Sequence, residues 1–79
     1  SKNFSSNIVQ LYPNPASEKI FALLNSNTEY KVVDIAGNTL LNGIALGYPT
    51  ELNIGVLKPG IYFIHFPNGI YQSQKFIKE

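Results

Sequence analysis

No stretch of a dozen residues in this 79-residue chain spaces its apolar side chains three and four apart, as an amphipathic helix requires. Alternation with a period of two runs through it instead. The alternating runs are Ile8 to Tyr12, Lys19 to Leu24, Glu29 to Ile35, Thr39 to Ala45, Glu51 to Ile54, Gly60 to Phe66 and Ile70 to Ile77, with turn residues between them. Seven short strands and essentially no helix predict an all-β chain, and strands at such close spacing predict an antiparallel β-sandwich.

The turns carry their own mechanisms. Pro13-Asn14-Pro15 lacks two backbone donors and fixes φ at both prolines, so it must end the first strand at a sheet edge or corner. Asn25-Ser26-Asn27-Thr28 favours a loop, because short polar side chains hydrogen-bond the local backbone. Ala36-Gly37-Asn38 puts a glycine where a tight hairpin needs positive φ, and Pro67-Asn68-Gly69 contains the Asn-Gly pair of short hairpins. Two hairpins follow, Glu29 to Ala45 and Gly60 to Ile77. Alternation assigns Val9, Leu11, either Ile20, Ala22 and Leu24 or their neighbours Phe21 and Leu23, then Val33, Ile35 and Phe76 to the core. Ile61 to Phe66 is apolar on both faces, which marks a central strand that is covered on both sides or adjoins an interface.

A chain this short buries only roughly 60% of its unfolded surface and has little room for a chemical cavity. Six lysines, no arginine and a formal net charge of +1 give no footprint for nucleic acid. One histidine and no cysteine leave too few ligands for a zinc site, and no cofactor is expected. The carboxylates Glu18, Glu29, Asp34, Glu51 and Glu79 show neither glycosidase nor calcium-loop spacing, and Asp34 is placed to brace its own turn. No serine or cysteine motif accompanies His65, so the reading is non-enzymatic. Apolar runs fall far short of the ~20 residues of a membrane helix, and no signal segment opens the chain. Ser1 to Asn7 has the composition of a linker, which predicts a domain over residues 8–79 preceded by a linker over 1–7 to an upstream protein. Asn3-Phe4-Ser5 fits the glycosylation triplet.

Four segments carry a resemblance: Leu11-Tyr12-Pro13-Asn14-Pro15-Ala16, Val32 to Asn38, Leu57-Lys58-Pro59-Gly60-Ile61-Tyr62-Phe63, and Gln74-Lys75-Phe76-Ile77-Lys78. In this order and spacing the chain resembles the type A C-terminal sorting domain of the type IX (Por) secretion system, over nearly its whole length from Ile8. The resemblance implies a seven-stranded Ig-like sandwich at the C-terminus of secreted enzymes and adhesins. It implies passage of folded cargo from the periplasm through an outer-membrane translocon to the cell surface or the medium. The implied partners are that translocon, a shuttle protein and a sortase-like cysteine peptidase that commonly removes the domain.

The residues that the resemblance assigns to the sorting motifs are Pro13, Asn14, Pro15, Gly37, Leu57, Gly60, Tyr62, Lys75 and Lys78. Some members space the last basic pair four apart, whereas Lys75 and Lys78 are three apart and fall on opposite faces of a strand. Each motif also has a purely structural reading: Gly60 swings the chain into a strand, Tyr62 fills a sandwich corner, and the lysines guard an edge. Two alternatives share the fold. One is an Ig-like spacer of a secreted multidomain protein; the other is a carbohydrate-binding sandwich that stacks sugars on Tyr12, Tyr30, Tyr48, Tyr62 and Tyr71.

Overall fold

Alternation at period two becomes two facing sheets because each strand then owns one apolar side, and two such sides cover each other. In the computed structural model, which describes residues 8–24, 27–46, 49–69 and 71–79, the strands are β1 (Gln10–Tyr12), β2 (Lys19–Leu23), β3 (Thr28–Asp34), β4 (Thr39–Ala45), β5 (Thr50–Asn53), β6 (Gly60–His65) and β7 (Gln74–Lys78). They form a three-stranded sheet ordered β1-β2-β5 and a four-stranded sheet ordered β4-β3-β6-β7. All ladders between named strands are antiparallel. The described residues contain no helix, hence none long and apolar enough to cross a membrane.

The expected all-β architecture is therefore present. The Ig-like label fits loosely: β2 beside β5 and β3-β6-β7 match the shared centre of Ig sandwiches, but β4 pairs with β3 rather than extending the sheet of β5. Ile20, Ala22, Leu24, Leu52 and Ile54 from one sheet and its edges meet Val32, Ala45, Tyr62, Ile64, Phe66 and Phe76 from the other. Each large side chain buried in this way contributes about 1.5–3 kcal/mol of transfer free energy.

One open alternative is decided and two sequence readings are corrected. On β2 the buried set is Ile20 and Ala22, with Phe21 and Leu23 only half-buried. On β3 the core residue is Val32, not Val33, and Ile35 is 77% exposed. The cause is local: Ile35 lies in the Asp34–Gly37 turn, beyond the strand, and a register shift between Val32 and Val33 separates the tip from the regular ladder. The last strand starts at Gln74, not in the Ile70 region. The Gly69 amide bonds the Phe66 carbonyl, so Pro67 and Asn68 are the central turn residues, and Tyr71 folds back edge-on against Phe66 before pairing begins. Ile70 itself, the Ser1 to Asn7 segment, Asn25, Ser26 and Tyr48 lie outside the described residues.

Strand directions give the sandwich two distinct ends. At one lie the β1–β2 connection, the β3–β4 turn, the β5–β6 connection and the finish of β7. At the other the chain comes in at Ile8, and the β2–β3, β4–β5 and β6–β7 connections lie there.

Candidate functional site

The strand β7 is built into the fold from three sides. Inward, Phe76 is fully buried and stacks on Tyr62 with ring centroids 5.7 Å apart. Along one edge it pairs with β6 in the register Gly60↔Lys78, Tyr62↔Phe76 and Ile64↔Gln74. Along its other edge it meets the Pro13-Asn14-Pro15-Ala16 segment. The Asn14 side chain accepts from the Ile77 amide at 3.0 Å and donates to the Lys75 carbonyl at 3.4 Å. Ala16 continues the cover: its amide donates to Ile77 O at 2.9 Å, and its carbonyl accepts from the Glu79 amide at 2.8 Å.

A side-chain amide presents an N–H donor and a carbonyl acceptor side by side, much as the edge of a strand does. Asn14 therefore stands where a neighbouring strand would, and its flanking prolines leave no backbone N–H of their own to compete. Both peptide bonds preceding these prolines are cis. Ala16 is buried, and its small side chain lets the crossing segment lie against the core.

The lysines separate as their spacing requires. Lys75 is exposed on the outer face, while Lys78 points inward, is 9% exposed and donates from Nζ to the Glu79 carbonyl at 3.0 Å. Lys78 is thus not a solubilising charge on the edge. Gly60 opens β6 with φ at 159° directly opposite Lys78. Tyr62, buried beside it, donates its hydroxyl to the Lys58 carbonyl at 2.5 Å, which closes the Leu57-Lys58-Pro59-Gly60 corner. Leu57 is buried under that corner, and its amide bonds Ile54 O at 3.0 Å.

Gly37 sits at the β3–β4 tip with φ at +89° and open space where a Cβ would go, so the backbone conformation rather than packing selects glycine. Asp34 braces this tip as expected, accepting from the Ala36 amide at 3.0 Å, the Asn38 amide at 2.9 Å and the Asn38 side chain at 3.2 Å. Those bonds, the Asn38 backbone amide first, hold its carboxyl below its ordinary value.

The residues assigned to the sorting motifs thus lie along β7 or at the end where β7 finishes. The sequence did not show that Asn14 and Ala16 pair with β7, because the partners are 61 to 63 residues apart. The only local trace is an asparagine held between two prolines.

This end also exposes apolar side chains. Ile35 and Ile61 flank one shallow notch with Gly60 and Tyr62; Leu40 and Val56 flank a second with Leu57 and Lys58, and Asp34 and Tyr62 are common to both. Ile77 lies opposite Ile61 across the β6–β7 ladder.

Among the described residues, acid–base or metal chemistry finds no matching arrangement. Among the described residues no three His, Cys, Asp or Glu side chains could hold a metal ion. His65 is exposed and shares a 3.0 Å hydrogen bond with Ser73. The described tyrosines do not form one stacking platform: Tyr62 is buried, Tyr30 and Tyr71 pack against the core, and Tyr12 stacks on Phe21 outside.

A protein family described as the secretion system C-terminal sorting domain matches residues 10–79 of the chain. No curated protein and no solved structure matches it.

Proposed function

Since the chain belongs to the secretion system C-terminal sorting domain family, the family of type IX secretion signals, we propose that it directs an attached upstream cargo from the periplasm through the outer-membrane translocon. Membership itself makes the domain a sorting signal in a family that is not an enzyme family. It also implies contact with the secretion machinery and export to the cell surface or beyond. The finer reading assigns the translocon, a shuttle protein and a sortase-like peptidase as partners. It places the linker and any cut within residues 1–7, ahead of the domain at 8–79. In this reading Pro13, Asn14, Pro15, Gly37, Leu57, Gly60, Tyr62, Lys75 and Lys78 are the sorting motifs, most of them acting by shaping and presenting β7 and its end of the sandwich.

The observation that supports this best is the convergence of the motifs on β7. Asn14 and Ala16 bond one edge of it, while Gly60 and Tyr62 lie across the other from Lys78 and Phe76. The deciding experiment fuses residues 1–79 behind a fluorescent reporter in a host with type IX machinery. The fusion is expected at the cell surface or in the medium of that host and inside a translocon-deficient strain. Equal retention in both strains rejects the reading.

A further inference from the structure

We propose that β4 is a pairing edge through which the domain binds a second copy of itself, antiparallel and about a two-fold axis at Gly43, so that the two four-stranded sheets become one. Such pairing is independent of the export reading. Four strands border the sheets, β1 and β5 in one and β4 and β7 in the other. Three of these edges are blunted or covered. β1 has three residues and runs into Pro13, β5 has four and carries Glu51, and the outer edge of β7 is occupied by Asn14 and Ala16. β4 has seven residues, Thr39 to Ala45, with no charge and no proline. A long uncharged edge is a template for another strand.

Which backbone groups are open follows from the ladders, because bonding direction alternates along a strand. Ile77 spends its amide and carbonyl on Asn14 and Ala16, so Phe76 bonds Tyr62 on β6. Phe63 then bonds Val33 on β3, and Val32 and Tyr30 bond Leu41 and Gly43 on β4. Asn42 and Ile44 are left with N–H and C=O directed away from β3, and these groups have no partner among the described residues. Leu40 is skipped at the register shift, so the regular open stretch runs from Leu41 to Ala45.

The centre of that stretch is Gly43, and symmetry about it names the occupant. A strand laid antiparallel on its own copy matches every donor with an acceptor. With the axis at Gly43, Asn42 of each copy exchanges both backbone bonds with Ile44 of the other, and the two glycines form the close pair between them. The half-buried Leu41 then lies against Ala45 of the second copy, and the exposed Ile44 against its Asn42. No like charges meet in this arrangement, whereas β5 on its own copy would bring Glu51 near Glu51. The contact is small, which suits a weak, reversible dimer.

The test sediments the 79-residue chain from about 10 µM to about 1 mM, where its mass should rise towards that of a dimer. Two variants probe the edge and one serves as control. Asn42→Pro removes an outward donor that the fold does not use. Ile44→Lys puts a charge on the edge, opposite Glu29 of β3, where the folded monomer accommodates it. Val56→Lys changes an exposed side chain away from β4. Circular dichroism should match the parent in Ile44→Lys, which keeps the test open if the proline variant does not fold. The dissociation constant should rise about tenfold or more in each folded edge variant and stay at the parent value in Val56→Lys. Amide exchange at Asn42 and Ile44 in the parent should slow as concentration rises. A monomer across the whole range overturns the pairing edge, as do parent-level association of folded Ile44→Lys, equal weakening in Val56→Lys, or exchange at Asn42 and Ile44 that ignores concentration. Growth past the dimer would mean a head-to-tail contact between different edges and overturns it as well.

Discussion

The two ends of the sandwich solve the same problem by different means. At the β7 end each connection is held by directional bonds over named groups: Asp34 on its own turn, Tyr62 on Lys58, Asn14 and Ala16 on β7. At the Ile8 end, among the described residues, aromatic packing is added to such bonds: Phe66 is buried against Tyr71, the Asn68 amide bonds the Thr28 hydroxyl and the Thr50 hydroxyl bonds the Leu46 carbonyl. Fixing loop tips by hydrogen bonds leaves their apolar side chains free of structural duty. Ile35 and Val56 can then point outward at little cost to the fold, whereas burying them would have been the usual way to hold such loops.

The largest test of the contrast removes one buried ring from each end. Phe76→Ala and Phe66→Ala should each cost about 3–5 kcal/mol, a large share of the stability available to a domain of this size. Equal shifts in urea midpoint are expected, because both rings belong to one core. A much smaller loss for Phe66→Ala would show that the Ile8 end is only loosely joined to it. Tyr62→Phe comes next. It leaves the Lys58 carbonyl without its donor, at about 1 kcal/mol, and should lower the thermal midpoint by about 4–8 °C.

Asn14→Ala sharpens the picture at a single edge. Both of its bonds are exposed to solvent, so the stability loss should stay below about 1 kcal/mol. Amide exchange at Ile77 should nevertheless accelerate while that at Phe76, which faces β6, does not. Uniform protection of both amides would show that Asn14 is not the cover of β7. The smallest effect belongs to Asp34. Its pKa is lowered in the folded state from 3.8, so its contribution is fully present above that pH and is lost as pH falls through the folded value. The thermal midpoint of the parent should exceed that of Asp34→Asn at neutral pH, and the gap should narrow in acid.

Much of this was legible because strands and tight turns are local. Alternation located all seven strands, and Gly37 and Asp34 announced their hairpin. Two readings failed where neighbours along the chain do not decide. Pro67-Asn68-Gly69 looked like the apex of a hairpin, yet the turn is centred one residue earlier and Tyr71 packs on Phe66 before β7 can pair. Val33 and Ile35 share a side of the alternation, but the register shift and the turn put Val32 in the core instead. The role of Asn14 could not be read at all, since nothing within the first strand and turn says which later strand will lie beside them.

That long reach between Asn14 and β7 has a bearing on synthesis. A polypeptide emerging from the ribosome amino end first carries an unclosed shell until Phe76 and Ile77 have been made, because the ring that fills the core and the amide that Asn14 awaits are both supplied by the seventh strand. A translation product broken off before that point lacks these closing contacts. Closure of the sandwich is thereby a report that the seventh strand has been made.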